Sequence, residues 1–232
     1  MLRVSEIFYS LQGEGVHMGV PTVFIRLAGC NLLTHCRYCD TSYSWDANSG
    51  REMSVEEVVE ERRELLPYYK SWTCITGGEP LFQLEGLHQL VKLLRNYGYR
   101  IEIETNGSMP KPYWWTLVDS WVADIKCPSS GVCGVSLVDD WFSTRVEDQI
   151  KFVVGNQEDL DFAKKIITSK VACNPVVLVS PVTGLLVDRK KGTIEEYWLK
   201  EWLEEVAEFC KELRVRLSLQ QHKLIWGNRK GV

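Results

Sequence analysis

Short apolar runs alternate with longer amphipathic segments along most of this sequence of 232 residues. This alternation is typical of repeated βα units, in which parallel strands form a sheet and helices cover its outside. The predicted strands are residues 22–27, 72–76, 100–105, 121–125, 149–154, 176–179 and 215–219. The predicted helices are residues 54–66, a segment beginning near Glu85, 159–169 and 194–213. The pattern therefore predicts an α/β fold with a parallel sheet.

Two helix boundaries can be placed from capping residues. Ser54 followed by Glu57 has the pattern of a capping box, which predicts that a helix begins there. Gly98 is placed to end the helix that begins near Glu85. Because no internal repeat, low-complexity segment or linker interrupts the chain, we predict a single domain over residues 1–232.

The charge balance argues against nucleic acid as a partner. The chain has 27 Lys and Arg against 31 Asp and Glu, a formal net charge of -4, so phosphate backbones are not attracted overall. No apolar run approaches the ~20 residues of a membrane span, and the first ten residues lack the long apolar stretch of a secretory signal. We therefore expect no membrane association and a cytoplasmic location.

Polar residues follow four of the predicted strands, at the point where each strand ends. In a barrel of parallel strands, reactive groups collect at these carboxyl ends. Any one of these loops could be an ordinary turn, but their recurrence predicts a functional rim. The four segments are TGGEP at 76–80, ETNG at 104–107, DIK at 124–126 and SPVT at 180–183. Strand alternation places Glu102 and Glu104 on one face and Ile101 and Ile103 on the other.

Three of the eight cysteines lie within ten residues, and this cluster is the anomaly in the cysteine distribution. Cys30, Cys36 and Cys39 have the spacing C-x5-C-x2-C directly after the first predicted strand. Thiols in a cytosolic protein of this size are expected to be reduced. Three thiolates on one short loop can converge on a common centre. The remaining cysteines are scattered, at Cys74, Cys127, Cys133, Cys173 and Cys210.

Two metal centres are compatible with this loop. An iron-sulfur cluster held by three cysteines leaves one iron open, and S-adenosylmethionine can bind there and be cleaved to a 5′-deoxyadenosyl radical. A zinc site is the alternative, with His35 as a fourth ligand. A second cluster on Cys127, Cys133 and Cys173 is a weaker interpretation, because free cysteines often serve as small core residues.

The motifs around these residues resemble a known family. GCNLLTHCRYCDT at 29–41, followed by TGGEP and ETNG, resembles the radical S-adenosylmethionine (SAM) superfamily. Within that superfamily, segments spread over nearly the whole chain resemble the 7-carboxy-7-deazaguanine synthase family. The segments are EIFYSLQGEG at 6–15, FIRLAGCN at 24–31, CDTSYSWD at 39–46, ITGGEP at 75–80, IEIETNGS at 101–108 and LQQHKLIWGN at 219–228. LQGEG and QHK are the narrower signals, since the cysteine loop and GGEP are shared across the superfamily.

The resemblance implies a partial (β/α) barrel of the radical SAM type, with helices outside, and a homodimer. It also implies one 4Fe-4S cluster, S-adenosylmethionine and Mg²⁺ as cofactors, and an electron donor such as flavodoxin or ferredoxin. The implied reaction converts 6-carboxy-5,6,7,8-tetrahydropterin to 7-carboxy-7-deazaguanine with loss of ammonia, after hydrogen abstraction at C6. The resemblance further implies that the product feeds the deazapurine nucleosides of tRNA, such as queuosine.

The resemblance also implies roles for individual residues. Cys30, Cys36 and Cys39 would bind the cluster, and Thr41 would bind Mg²⁺, which prefers oxygen ligands. The residues implied for S-adenosylmethionine are Tyr38, Cys39, Asp40, Gly78, Glu104, Asp124, Ile125, Lys126, Ser180, Pro181, Val182 and Thr183. The residues implied for the pterin are Leu11, Gln12, Gly13, Glu14, Arg26, Thr76, His222 and Val232.

Some of these assignments have structural alternatives. Arg26 suits the substrate carboxylate because a guanidinium donates two parallel hydrogen bonds, but it could form a surface salt bridge. His222 could be structural, and Val232 could be a frayed end. The sequence also departs from the family pattern, in a first cysteine gap of five residues and in Asp124-Ile125 before Lys126. Two other functions remain open, a radical activase acting on a protein glycine and a zinc or iron-sulfur module without catalysis.

Overall fold

In the part of the chain that the structure describes, a sheet of nine strands forms the centre of the fold. The computed structural model describes residues 1–170, 175–182, 196–227 and 229–232, with side chains left out for 196–199. The strands are β1 Leu2–Leu11, β2 Pro21–Leu27, β3 Arg51–Met53, β4 Trp72–Gly77, β5 Arg100–Thr105, β6 Ser120–Ile125, β7 Gln149–Val154, β8 Val176–Pro181 and β9 Arg216–Leu217. The helices are α1 Val55–Leu65, α2 Leu84–Asn96, α3 Val138–Phe142, α4 Gln157–Ser169, α5 Glu196–Leu213 and α6 Gln221–Trp226.

Most of the sheet is parallel, as the βα alternation predicts. The strand order is β3-β1-β2-β4-β5-β6-β7-β8-β9. From β2 to β9 each neighbouring pair is parallel, whereas β1 is antiparallel to both β2 and β3. The predicted α/β fold class is confirmed. The sequence analysis missed β1 and β3, and it made β9 longer than the two residues observed.

A β-bulge explains why β1 has no simple strand pattern. Val4 pairs with Leu27, but Glu6 pairs with Arg26, so the register shifts between them. Because Leu27 and Arg26 lie on opposite faces of β2, the shift moves the even-numbered side chains of β1 from one face to the other. The strand therefore lacks one continuous pattern of alternating buried and exposed residues.

The hydrophobic core lies between the outer face of the sheet and the helices. Ile75, Ile103 and Phe152 on neighbouring strands are fully buried in it. Helix α2 covers this face with Leu87, Leu90, Val91 and Leu94, the spacing of one apolar helix stripe. The inner face of the same strands carries the polar residues, so the sheet separates the core from the site.

The two ends of the sheet are linked by the loop that follows β1. The Gly15 amide donates to the Ser218 hydroxyl just after β9, at 3.0 Å. The Gln221 amide donates to the Gly13 carbonyl at 2.9 Å. Since β1 and β9 lie near opposite edges of the strand order, these contacts require a strongly curved sheet. The result is a partial barrel whose inner space is closed by this loop.

The predicted capping residues act as expected. The Ser54 hydroxyl accepts from the Glu57 amide at 3.1 Å, and the Glu57 carboxylate accepts from the Ser54 amide at 2.7 Å. Helix α2 ends at Asn96, and Gly98 has a φ of +76°. The predicted start of the 194–213 helix lies outside the described residues. No helix in the described ranges combines the length and the apolar character that a membrane crossing requires.

Arg62 anchors α1 to the start of β4. Its side chain is fully buried. Its guanidinium donates to the Thr73 hydroxyl at 2.9 Å, to the Ser71 hydroxyl at 2.7 Å and to the Leu66 carbonyl. It also stacks over the Tyr99 ring, 3.5 Å from the centroid. One side chain thus satisfies several buried acceptors at the end of α1.

We expect Arg62→Ala to lower the free energy of unfolding by about 3 kcal/mol, because buried acceptors lose their donors and a cavity forms. Arg63→Ala is the matched control. Arg63 is the next residue on the same helix, and its ion pair with Glu60 is exposed, so the unfolding midpoint should hardly move. Urea denaturation of both variants measures the difference. Equal midpoints would contradict the anchoring role.

Candidate functional site

The polar loops after β2, β4 and β5 touch one another at the carboxyl edge of the sheet. The Glu79 amide, after β4, donates to the Gly29 carbonyl at 2.8 Å. The Asn106 amide group, after β5, donates to the Asn31 side-chain oxygen at 2.9 Å. The loops therefore form one hydrogen-bonded rim around the cysteine segment.

Gly77 and Gly78 are needed because two backbone segments approach closely. A Cβ atom on Gly77, which has a φ of +148°, would lie 2.1 Å from the Leu27 carbonyl oxygen. A Cβ on Gly78 would lie 2.2 Å from the Gly29 carbonyl oxygen. No side chain fits at these distances. The structure thus explains both glycines by the protein's own backbone at the start of the cysteine loop.

Glu79 joins the loops after β4 and β5 through its buried carboxylate. It accepts hydrogen bonds from the Leu81 amide at 3.0 Å, the Thr105 hydroxyl at 2.9 Å and the Asn106 amide at 2.7 Å. Burial raises the pKa of Glu79 to about 7, although these donors favour the charged form. The sequence analysis did not assign a role to this residue, although the GGEP motif contains it.

The three cysteines of the loop are free and half-buried. Burial raises the pKa of the Cys36 thiol, and the charges of Asp124, Cys39 and Cys30 raise it further. The same burial raises the pKa of the Cys30 thiol, where Cys39 also contributes. The cysteine thiols therefore influence one another electrostatically. A bound cation or cluster would stabilise their thiolate forms.

The three thiols do not have the spacing of ligands to a single zinc ion. Zinc-sulfur bonds of about 2.3 Å place two thiolates of one tetrahedral ion about 3.8 Å apart. In the described part of the chain, the one group of three potential ligand atoms within 4.8 Å of one another is Cys74, Glu102 and Glu104. The cysteine trio does not form such a group. Binding of one zinc ion by all three thiols would therefore require the loop to rearrange.

The long first cysteine gap is accommodated by an exposed bend. Leu32 is buried, whereas Leu33 is fully exposed and Thr34 is also exposed. The loop then returns to the protein, where the Arg37 amide donates to the Ser130 carbonyl at 2.9 Å. The extra residues therefore point outward and leave the cysteines on the inner side.

Several residues predicted for S-adenosylmethionine lie next to the cysteine loop. Lys126 pairs with Asp124 at 2.6 Å, and both charges act on the Cys36 thiol. Burial alone would raise the pKa of Asp124, but Lys126 and Lys151 hold it below its usual value. The Tyr38 hydroxyl donates to a backbone carbonyl of β7. The buried Lys126–Asp124 ion pair therefore lies beside the cysteine loop.

The other residues predicted for this cofactor have varied positions. Ser180, Pro181 and Val182 are buried at the end of β8, and Thr183 lies outside the described residues. The Ile125 side chain packs in the hydrophobic core, so this residue can offer the rim only its backbone. Asp40 pairs with Lys223 of α6 at 2.8 Å.

A polar network fills the inner face of the barrel. The Gln12 side-chain amide donates to Glu102 at 2.7 Å and to Glu104 at 3.3 Å. The Thr76 hydroxyl donates to the other oxygen of Glu104 at 2.9 Å. Burial raises the pKa of Glu104. As the strand alternation predicts, Glu102 and Glu104 point inward while the isoleucines of β5 lie in the core.

Lys151 is a site residue that the sequence analysis missed. It lies on β7 inside the barrel, with its ammonium 3.0 Å from the Glu14 carboxylate and 3.4 Å from that of Asp124. Burial would lower the pKa of Lys151, but Asp124, Glu14 and Glu104 raise it well above its usual value. A lysine within the apolar segment QIKFVV was the available signal. Lys151 connects the two predicted binding regions electrostatically.

The two narrow sequence motifs, LQGEG and QHK, are in direct contact. A Cβ on Gly13 would lie 2.1 Å from Nδ1 of His222, so the glycine leaves space for the imidazole. The Gln220 amide group donates to Glu14 at 2.9 Å. Burial lowers the pKa of His222, which keeps the ring neutral near pH 7. Leu11, at the end of β1, leads directly into this contact.

Arg26 forms a half-buried ion pair at the edge of the same region. Its Nε atom lies 2.7 Å from a Glu6 oxygen that also accepts from the Tyr43 hydroxyl at 2.6 Å. The Lys230 ammonium lies 3.8 Å from the centroid of the Tyr43 ring. The chain near its C-terminus therefore lies beside the segment that follows the cysteines. Val232 follows Lys230 by two positions. In that segment, the Thr41 hydroxyl lies 3.6 Å from the Cys39 sulfur.

Comparisons with known protein sequences identify the family of this chain. Residues 24–126 match the family model of the radical SAM superfamily. The 7-carboxy-7-deazaguanine synthase of Methanospirillum hungatei is 40% identical over 97% of this chain and 85% of that protein. The enzyme of the same name from Koribacter versatilis is 34% identical over 97% of both chains. This chain belongs to the 7-carboxy-7-deazaguanine synthase family.

A comparison with solved structures shows that this chain shares its fold with a solved protein. QueE from Escherichia coli matches with a TM-score of 0.63 and 23% identity, over 95% of this chain and 94% of that one. The radical SAM match and the synthase relatives establish a 4Fe-4S cluster and S-adenosylmethionine as cofactors, and a small molecule as substrate. They support neither a protein activase nor a non-catalytic metal module.

Two of the cysteines outside the loop differ in their exposure to solvent. Cys127 is fully buried in the hydrophobic core, whereas Cys133 is exposed. Burial raises the pKa of the Cys127 thiol well above its usual range. Cys173 lies outside the described residues. Cys127 thus has the surroundings of a small core residue.

We expect Glu79→Gln to lower the free energy of unfolding by about 2 kcal/mol, because an amide group cannot accept from all three donors. Glu85→Gln, on the exposed first turn of α2, is the control and should leave the stability unchanged. Chemical denaturation at neutral pH measures both variants. A stable Glu79→Gln protein would show that this carboxylate does not hold the loops together.

Proposed function

We propose that this chain converts 6-carboxy-5,6,7,8-tetrahydropterin to 7-carboxy-7-deazaguanine with loss of ammonia. The observation that carries the proposal is the contact of the LQGEG loop with His222. These motifs are narrow to the family and lie at opposite ends of the chain, and Gly13 leaves space for the imidazole. Full-length relatives named for this synthesis support the proposal.

In this proposal, the cysteine loop and the neighbouring rim hold the cofactors. Cys30, Cys36 and Cys39 bind the 4Fe-4S cluster. When bound, the cluster and S-adenosylmethionine supply the 5′-deoxyadenosyl radical that removes hydrogen from C6 of the substrate. The residues that would bind S-adenosylmethionine are Tyr38, Cys39, Asp40, Gly78, Glu104, Asp124, the backbone of Ile125, Lys126, Ser180, Pro181, Val182 and Thr183.

The pterin would lie between the LQGEG loop, β2, β4 and α6. Arg26 uses Nε for Glu6, so its two terminal nitrogens would bind the substrate carboxylate. Glu14 stays ionised beside Lys151, and His222 stays neutral, so the pocket would offer both acceptors and donors to the pterin ring. Leu11, Gln12, Gly13, Thr76 and the terminal carboxylate of Val232 complete the proposed substrate pocket.

Mg²⁺ would bind at the Thr41 hydroxyl together with substrate oxygens. The position of Thr41 two residues after the third cysteine supports this assignment, because it would bring the cation to the boundary between cofactor and substrate. A carboxylate held by both Mg²⁺ and Arg26 would have a single orientation.

Other parts of the proposal concern the surroundings of the enzyme. We propose a single domain over residues 1–232, a homodimer, a cytoplasmic location and a flavodoxin or ferredoxin as electron donor. The product would feed queuosine-type tRNA nucleosides. These statements stay predictions.

We expect anaerobically reconstituted protein to cleave S-adenosylmethionine to 5′-deoxyadenosine after reduction, and to release the deazaguanine product from the carboxy-tetrahydropterin. Cys36→Ala should abolish both activities because a cluster ligand is lost. The exposed Cys133 provides the control, and Cys133→Ala should keep both activities. Chromatography with mass detection measures the products. Cleavage by the Cys36 variant would refute the cluster assignment.

We expect Mg²⁺ to raise the turnover of the carboxy-tetrahydropterin, and Thr41→Val to raise the Mg²⁺ concentration needed for half-maximal rate at least tenfold. The reason is that valine keeps the shape of threonine but has no oxygen ligand. Thr41→Ser retains the hydroxyl and should respond like the original protein. A rate independent of Mg²⁺ in all three proteins would contradict the site.

A further inference from the structure

Trp45 lies at the end of the cysteine loop, directly after the short helical turn Ser42–Ser44. Its indole Nε1 is 3.2 Å from the Sγ atom of Cys39. An indole N–H can only donate, so the direction of this hydrogen bond is certain. The bond connects a residue without an assigned role to one of the three cysteines of the loop.

The backbone and the ring of Trp45 are both held in place. Its carbonyl accepts from the Cys30 amide at 3.0 Å, and its amide donates to the Ser42 carbonyl at 3.3 Å. The indole stacks on the His35 ring with a centroid distance of 3.8 Å and an interplanar angle of 10°. The backbone of Trp45 thus binds the first cysteine of the loop, while its side chain binds the third. A donor held in this way needs no rearrangement to reach the sulfur.

The bond to Cys39 distinguishes this sulfur from the other two. In the described part of the chain, Cys30 and Cys36 receive no hydrogen bond from a side-chain N–H group. The backbone amide of Leu32 lowers the pKa of the Cys30 thiol, against the larger effect of burial, which raises it. The side-chain donors of the loop are therefore distributed unequally, and Trp45 is directed at a single ligand.

We infer that Trp45 is a positioning residue that raises the reduction potential of the cluster through its hydrogen bond to the Cys39 sulfur. The inference rests on the proposed function, because it takes Cys39 as a cluster ligand. One-electron reduction by an external donor adds negative charge to the cluster and its thiolates. A donor directed at a thiolate stabilises the reduced form more than the oxidised form.

Trp45→Phe tests the inference, because phenylalanine keeps an aromatic ring beside His35 and removes the N–H group. Both proteins are reconstituted anaerobically and titrated with dithionite in the presence of mediators, while electron paramagnetic resonance follows the reduced cluster. The expected result is an equal iron and sulfide content and a midpoint potential about 59 mV more negative, a tenfold change in the one-electron equilibrium constant. An unchanged midpoint overturns the inference.

Trp72→Phe is the matched control. Trp72 also packs against a histidine, with its ring 4.0 Å from that of His17, but it lies at the opposite end of β4 from the cysteine loop. This variant should keep the original midpoint. A shift of the same size in the control would show that the change does not come from the bond to Cys39, and would also overturn the inference.

A measurement without substitution covers the case in which the Trp45 variant does not bind a cluster. The original protein is labelled with indole-¹⁵N tryptophan, reduced, and examined by pulsed electron paramagnetic resonance. A ¹⁵N coupling to the cluster is expected, and its absence overturns the inference. Original protein that binds neither iron nor sulfide would refute the proposed function itself. An intact cluster without the coupling or the shift refutes only the role of Trp45.

Discussion

The carboxylate of Glu79 accepts hydrogen bonds from Leu81, in the loop after β4, and from Thr105 and Asn106, at the end of β5. The amide of the same residue donates to Gly29, at the start of the cysteine loop. An unpaired buried group of this kind would cost about 1–3 kcal/mol, so the three loops keep their relative positions. The rim therefore behaves as one hydrogen-bonded unit. The glycines before Glu79 allow the necessary backbone approach.

A second constraint comes from the charges inside the barrel. Lys151, Glu14 and Asp124 lie on three different segments, and each has its charged partner among the others. Buried charges are tolerated only when they are paired. This pairing connects the loop after β1 to β6 and β7. In the proposed function, the side next to the cysteines would bind the cofactor and the side next to α6 would bind the substrate. Both sides are polar before any ligand binds.

Much of the fold could be predicted, because most strands and helices have local patterns. The parallel strands, the capping box at Ser54 and the inward direction of Glu104 follow from periodicity and capping chemistry. Strand β1 could not be predicted in this way, because its bulge interrupts the alternation. Helix α6 is short, and its place depends on contact with Gly13. Lys151 was missed because a single charged residue did not change the apolar character of its strand.

The sequence by itself determined the chemistry that the loop can support, because thiolate ligands are a property of residue type and spacing. It also determined the family, through motifs that lie far apart along the chain. Only the tertiary structure decided which groups meet. The contact of Gly13 with His222 and the pairing of Glu14 with Lys151 depend on how strongly the sheet curves. The direction of the Trp45 indole depends on packing against His35. Local periodicity contains no information on sheet curvature or ring packing, since both are set by contacts between distant segments.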